Sequence, residues 1–401
     1  MKLSNTHPKE FLLICGSFTS ANFYVMLSVI RSLGNVHIHA ISAHNEENVE
    51  LPNYEDVTFL HVHNWRLAFL DSAKKRLKAP IYKAVKYIFS HFFAVYDNYF
   101  TSFYERAIYR RSMELIKQED VAAVFSVCLR FYTHRISSKI HRKCGIRWYQ
   151  FWVDPFSNRQ ERKKDWIWYS GASRLENRFL KDASVIYALP EVFVGSEIIP
   201  RYKQKLVTFE IPYLINREVE SKTKDIIFAG AFIKNVRDPY PVLDLLLSIL
   251  NDIDSAISFH FYVRNKELYA DYDVKSEGRL CFHDYIGHEE LSRRLSDSYM
   301  LLNIGNAGSI QMPSKTVEYV SYRKPLLFFY KDRNDASLRY LKNYPDICRI
   351  SVDDGLEDNK SKLIHFFNSK HEPIDYDSLM KIKEYRESTP EYISSQIKFD
   401  D

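Results

Sequence analysis

YMLLNIGNAGSIQMPSKTVEYVSYRKPLLFFY, residues 299–330, reads as a buried strand, a small-residue loop, a helix and a second buried strand. The loop and helix start hold Gly305, Asn306, Gly308, Ser309, Pro313, Ser314 and Lys315, with Glu318 one turn into the helix. A helix start carries N–H groups without intrahelical partners and the positive end of the helix dipole, so it can hold a phosphate. Lys315 adds a mobile positive charge, and Glu318, three residues on, falls on nearly the same helix face. A carboxylate so placed can accept hydrogen bonds from two adjacent hydroxyls of a ribose. Phosphate donors beside a diol-binding carboxylate describe a site for a sugar nucleotide.

A chain of 401 residues exceeds one ordinary core, and two domains of roughly 150–200 residues are expected. Its 46% hydrophobic and 27% charged residues are an ordinary globular mix. Five cysteines, Cys15, Cys128, Cys144, Cys281 and Cys348, lie apart with no CxxC pair. That spacing points away from a zinc site or disulfide framework and towards a reducing compartment. Lys9 and Glu10 stand directly before the first short apolar run, which does not read as a secretory signal. No window reaches the roughly 18 uninterrupted apolar residues of a spanning helix. A cytoplasmic protein is expected.

The net charge of +5 is unevenly spread: residues 1–220 hold 31 Lys+Arg against 22 Asp+Glu, and residues 221–401 hold 25 against 29. The excess concentrates in Arg66–Arg111 and Arg130–Lys164. In the first of these, Lys74, Lys75, Arg76, Lys78, Lys83 and Lys86 alternate with Tyr82, Tyr87, Phe89, Phe92 and Phe93. Such a stretch suits the inner face of an anionic membrane, as a peripheral contact. It equally suits a solvated helix with an aromatic core face. Nucleic acid is not indicated, because no recognised binding motif accompanies the charge.

Strand and helix patterns alternate along the chain, which implies parallel sheets wrapped by helices. Strands are expected at Phe11–Cys15, Val36–Ile41, Val57–His63, Val121–Val127, Arg147–Val153 and Ser184–Leu189, with one long helical region from Ser72 to Lys117. The charged stretch EVESKTK, 218–224, has no apolar residue after Val219 and marks a linker. The plan then restarts with strands at Asp225–Ala229, Ile257–Val263, Arg279–Phe282, Met300–Ile304, Pro325–Tyr330 and Ile347–Val352. The expected organisation is a first domain over 1–217, a second over 225–372, and a helical tail, 373–401, packing back on the first. Two tandem Rossmann-like α/β domains would bind ligand in an interdomain cleft at the strand ends.

Four segments, in this order, resemble the family-4-type glycosyltransferases of bacterial polysaccharide synthesis, which have the two-domain GT-B fold. WYQFWVDPF followed by RLENRFLKDASVIYAL is similar to the last strands of the acceptor domain. IIFAGAFIKNVRDPYPVLDLLLSI (226–249) resembles the opening of the donor domain, RLCFHDYIGHEELSRRLSDSYMLLNIG (279–305) the flank of its base pocket, and PSKTVEYVSYRKPLL (313–327) its donor-binding helix. The resemblance implies a nucleotide-sugar donor as substrate, no cofactor, no metal, and retention at the anomeric carbon. It places Lys234 and Arg237, after Gly230, on the diphosphate, where two cations offset the leaving nucleotide's charge. It places Glu318 on the ribose, Tyr285 and Ile286 against the base, and Val263 and Arg264 on the base's other side.

Many members carry a second glutamate eight positions before the ribose-binding one; here that position is Ile310. Asn306, Ser309 and Gln311 are the polar side chains on offer instead. On the acceptor side, Asp154 ends the strand Trp148–Val153 and reads either as a residue orienting an acceptor hydroxyl or as a turn cap before Pro155. Gly16 and Ser17 resemble the fold's first-strand loop, and Arg130, His134 and His141 are further cleft candidates. Asp252/Asp254 and Asp271/Asp273 have Asp-x-Asp spacing but lie in polar stretches and read as surface residues. The acceptor implied is a glycan or lipid-linked sugar. A catalytically silent partner protein and a sugar-nucleotide epimerase of the same fold remain as alternatives.

Overall fold

Runs such as FLLI, VAAVFSV and MLLNI have no polar alternation, as expected of parallel strands covered on both faces. The computed structural model describes residues 7–18, 20–43, 51, 53–127, 131–153, 166–193, 201–307 and 312–398. The chain divides into two units, Met1–Pro212 with Pro390–Asp401, and Tyr213–Thr389.

The first unit has strands β1 (Lys9–Ile14), β2 (Val36–Ser42), β3 (Val57–His61), β4 (Val121–Val127), β5 (Arg147–Trp152), β6 (Val185–Ala188) and β7 (Leu206–Thr208). Its described helices include α1 (Ala21–Arg31), α2 (Trp65–Arg76), α3 (Ala79–Tyr99), α4 (Phe103–Gln118), α5 (Phe131–Cys144) and α6 (Trp166–Asp182). The sheet order is β3-β2-β1-β4-β5-β6-β7 with parallel neighbours, so the strand order reverses between β1 and β4. Aromatic rings fill its core: Phe125 stacks on Tyr149 at 5.1 Å and Phe151 on Tyr187 at 4.7 Å. The end of the chain is tied into this unit. Tyr149 Oη donates to Lys398 O at 2.5 Å and Tyr187 Oη to Gln396 O at 3.1 Å, while the helix Pro390–Ser395 packs on α1.

Where one helical region is expected over Ser72–Lys117, three helices form. Leu77 and Phe100 adopt extended backbone between them. Pro80 explains the first break, since it sits in the opening turn of α3, where its missing N–H costs nothing. Short β7, which pairs with β6, is an addition to the expected strands.

The second unit contains β8 (Asp225–Ala229), β9 (Ser258–Tyr262), β10 (Leu280–His283), β11 (Met300–Ile304), β12 (Leu326–Tyr330) and β13 (Ile347–Ser351). Among its helices are α7 (Tyr240–Ile249), α8 (Ala270–Lys275), α9 (His288–Asp297), α10 (Ser314–Ser321), α11 (Ala336–Tyr340) and α12 (Leu356–Phe367). The order β10-β9-β8-β11-β12-β13, again parallel, is that of a Rossmann sheet with its switch point between β8 and β11. Residues 218–224 bond within this unit. Lys222 N and Thr223 N donate to Asp297 O at 2.9 and 3.1 Å, and buried Lys324 donates to Glu220 O at 3.1 Å. Burial lowers the Lys324 pKa to about 8.

Candidate functional site

The loops leaving β8 and β11 flank the switch point of the second sheet, the position where such sheets bind ligands. After β8 the backbone closes on itself: Ile233 N donates to Arg237 O at 3.0 Å, and Arg237 N to Ile233 O at 2.7 Å. Asn235 at the turn has φ 63°, a left-handed conformation that asparagine tolerates. Lys234 stands exposed beside it. The β11 loop is joined to this turn, with Ala307 N donating to Val236 O at 2.7 Å.

Within that frame the structure brings Arg237 and Asn306 together. Arg237 Nη2 donates to Asn306 Oδ1 at 2.8 Å and its Nη1 to Ala231 O at 3.2 Å. Of the five N–H donors of the guanidinium, these bonds commit two, and the buried Nε–H has no acceptor among the described residues. Burial lowers the Arg237 pKa, against the opposing pull of Tyr319, Asp335 and Tyr285. A guanidinium stays charged regardless, so the loops hold a fixed cation at the end of β8.

Two glycines make room for this arrangement. A Cβ at Gly230 would lie 3.2 Å from Phe228 Cζ and 3.6 Å from Arg237 Nη1. A Cβ at Gly305 would lie 2.1 Å from Asp335 Oδ2, a distance no packing accommodates without movement. Asp335 is the buried support of the β11 loop. It accepts from Asn306 N and from Ser337 N, each at 2.7 Å, the second bond capping α11. Burial raises the Asp335 pKa, and those N–H bonds and Arg237 oppose the rise.

Helix α10 is anchored to the end of β8 by buried Tyr319, whose hydroxyl accepts from Ala229 N at 2.7 Å. Beneath the helix start, Asn303 Nδ2 donates to Thr316 Oγ1 at 3.0 Å. Ser314 opens the helix after Pro313, with no side-chain cap. Lys315 and Glu318, read from the sequence as a phosphate cation and a ribose acceptor, are paired with each other at 2.7 Å, and Glu318 is buried. His288, at the start of α9, lies in their field. Burial lowers its pKa, Glu318 opposes this, and Lys315 and Arg217 add to it.

At the ends of β9 and β10, Arg264 lies over the Tyr285 ring at 5.3 Å. Both are exposed and Ile286 is half-buried, whereas Val263 belongs to the hydrophobic core and does not line a base site. Gly16 and Ser17 belong to the first unit, at the end of β1. Tyr132 Oη donates to Cys15 O at 2.9 Å and to Gly16 O at 3.3 Å, and Ser20 Oγ donates to Ser17 O at 2.9 Å. His134, expected as a cleft residue, is instead a core histidine. It is fully buried, hydrogen-bonded through Nδ1 to Ser126 Oγ at 2.8 Å, and burial lowers its pKa to about 3. His141 bonds the Ile146 carbonyl at 2.7 Å. Asp154 and Ser309 lie outside the described residues, as do Arg130, Ile310 and Gln311. Asp252, Asp254 and Asp271 are exposed and Asp273 half-buried, in keeping with surface and turn roles.

Asp335, Tyr319 and His288 are additions that the sequence reading did not make. Asp335 carries a local signal, an Asp two residues before Ser337 at a helix start. Tyr319 carries none, since its partner lies 90 positions away.

No family model matches this sequence, and no curated protein matches it. Solved structures match along nearly its whole length. Anabaena HepE in complex with UDP aligns with TM-score 0.54 at 10% identity, covering 98% of this chain and 96% of that one. A Listeria monocytogenes protein designated a UDP-N-acetylglucosamine 2-epimerase gives 0.52 at 8% identity, over 97% and 94%. Phytolacca americana UGT2 complexed with UDP-2fluoro-glucose and pterostilbene gives 0.51 at 10%, over 97% and 93%. With its two Rossmann-like sheets, the chain has the GT-B fold.

Proposed function

We propose that this GT-B chain is a glycosyltransferase that moves a sugar from a nucleoside diphosphate sugar to a glycan or lipid-linked acceptor, in polysaccharide synthesis at the cytoplasmic face. The observation that carries the reading is the Arg237 guanidinium, held by Asn306 and Ala231 O at the switch point with its Nε–H uncommitted. A diphosphate there would take guanidinium N–H donors that Asn306 and Ala231 leave free, with Lys234 and the start of α10 supplying further positive potential. As the sugar–phosphate bond breaks, charge grows on the leaving nucleotide, and preorganised cations stabilise it without a metal. Arg264 and Tyr285 would flank the base. Glu318 would take the ribose hydroxyls once Lys315 turns to phosphate, since the two now satisfy each other. Gly230 and Ser314 would let backbone approach the phosphates. Gly16, Ser17 and Asp154 are assigned to the acceptor side of the first unit. The reaction is proposed as retaining, by the family resemblance.

UDP complexes among the structural neighbours make UDP-sugars the first donors to try. Calorimetry against UDP-, GDP- and dTDP-sugars tests the donor site: one nucleotide class is expected to bind, and binding of none would refute it and leave a partner or scaffold role. An epimerase is the second reading, favoured by the Listeria neighbour. It would convert the nucleotide sugar without an acceptor, so product analysis separates the two.

A further inference from the structure

Helix α3 has two apolar faces. One packs on α2, where Phe69 stacks on Phe89 at 4.9 Å and Trp65 meets Phe93 at 5.7 Å. The other, Ile81, Ile88, Phe92 and Tyr99, recurs at helical spacing and forms a single stripe roughly 27 Å long. These four side chains remain 51, 68, 58 and 40% exposed. A stripe of that size facing water marks a contact surface.

Positive charge stands at both ends of the stripe. At its start Lys74, Lys75, Arg76 and Lys78 are all exposed. At its end Tyr99 forms one wall of a cavity of about 310 Å³, which Arg135, Lys139, Arg142, Arg174 and Arg178 also line. No carboxylate is among the described lining residues. Glu105, whose pKa burial raises to about 7 against the pull of Arg135, contacts Arg135 at 3.1 Å, and Asp182 faces Arg142 at 3.4 Å. Arg174 lies over the Tyr99 ring at 5.3 Å, and among the described residues neither it nor Arg178 has a carboxylate partner. Lys139 donates to Thr101 Oγ1 at 3.2 Å. Burial lowers its pKa; Glu105 opposes the shift, and Arg135, Arg106 and Arg142 add to it. A second recess, lined by Arg106, Tyr109 and Lys143, shares Lys139 and Arg142 with the first. Like charges gathered in a concave wall focus potential and draw an anion.

We infer that α3 and the cavity at its end form a docking surface for an anionic phospholipid bilayer, the stripe from Ile81 to Tyr99 lying in the interfacial layer and a headgroup phosphate ester entering the cavity. An apolar stripe bracketed by cations matches an apolar layer beneath a charged one, which a soluble anion does not offer. No helix among the described residues is long and apolar enough to cross a membrane, so the contact is superficial. The inference is independent of the donor site, which belongs to the other unit.

Vesicle flotation of the full chain tests it, comparing phosphatidylcholine alone with phosphatidylcholine containing one-third phosphatidylglycerol. Binding to the anionic vesicles only, weakening as salt rises, is the expected result. Arg174→Gln with Arg178→Gln should weaken it about 30-fold, at roughly fivefold per cation near the surface. Ile88→Ser with Phe92→Ser should weaken it as well, with thermal melts of both variants like wild type. Equal binding to both vesicles, no binding to either, or wild-type binding by both folded variants would overturn the proposal. Capture of glycerol phosphate or inorganic phosphate without vesicle binding would also overturn it, by assigning the cavity to a soluble anion.

Discussion

Gly305→Ala offers a quantitative test of how the second unit holds the loop after β11. The new Cβ would lie 2.1 Å from Asp335 Oδ2, 3.1 Å from its Cγ and 3.2 Å from Phe328 Cζ. The phenyl contact needs only a few tenths of an ångström, but the carboxylate must leave its place. Overpacking of this kind costs about 1–3 kcal/mol. The displaced carboxylate also weakens its bonds to Asn306 N and Ser337 N, and bonds to a charged acceptor are worth about 1.5–3 kcal/mol each. A total near 3–5 kcal/mol is expected, at the severe end of single substitutions. Asp335→Ala loses the same two bonds, one of them the α11 cap, without any clash, at about 2–5 kcal/mol. In the double variant the carboxylate that Cβ would strike is absent. The two costs should therefore overlap, and the double variant should cost at least about 1 kcal/mol less than the sum of the singles. Urea denaturation of the four proteins closes this cycle. Additivity within about 0.5 kcal/mol would refute the claim that Gly305 is small because of Asp335.

Two further predictions concern stability. Tyr319→Phe should cost about 1–3 kcal/mol by leaving the buried Ala229 N–H without its acceptor. Tyr322→Phe, whose hydroxyl meets Ser292 Oγ at 2.9 Å, should cost no more than about 0.5–1.5 kcal/mol; equal urea midpoints for the two would count against the anchor. His371 should make stability depend on pH. Burial disfavours its charge, but Asp346 at 2.8 Å and the Phe366 carbonyl at 2.9 Å outweigh burial and raise its pKa. That stabilisation is fully present below the unfolded pKa of about 6.5 and is lost as pH rises through the higher folded value. As pH rises from about 6.5 through the higher folded pKa the wild type should therefore lose stability that His371→Gln does not; parallel profiles would exclude the effect.

The fold was legible because its strands are buried on both faces. FLLI, DIIFA and MLLNI admit no alternating reading, whereas the order in which the strands pair is set by contacts between distant segments and was not read from the sequence. The broken helix over Ser72–Lys117 was harder, since apolar residues on several sides of α3 blur the period while Pro80 alone marks a boundary. At the site, Arg237 and Asn306 could be placed because each follows a strand that ends at the switch point. Their contact could not, because 69 residues separate them. Tyr319 acts through Ala229 N and Asp335 through Asn306 N, 90 and 29 positions away, and such partners leave no local trace; only the Asp335 cap on Ser337 is local. The Lys315–Glu318 pair shows the opposite case: three-residue spacing on a helix predicts an ion pair as readily as two ligand contacts. His134, in the polar-looking run THRISSKIHRK, is buried because this helix is packed by the sheet on one side and by neighbouring helices on others, which buries Thr133, Arg135, Ser137 and Ser138 with it.

Calorimetric titration of UDP and UDP-sugars into wild type and Arg237→Ala tests the central claim most directly. Removing a charge-assisted donor worth about 1.5–3 kcal/mol should weaken nucleotide binding about ten- to hundredfold while the protein still melts cooperatively. Equal affinity in a folded Arg237→Ala protein would contradict the assignment of the diphosphate to the end of β8.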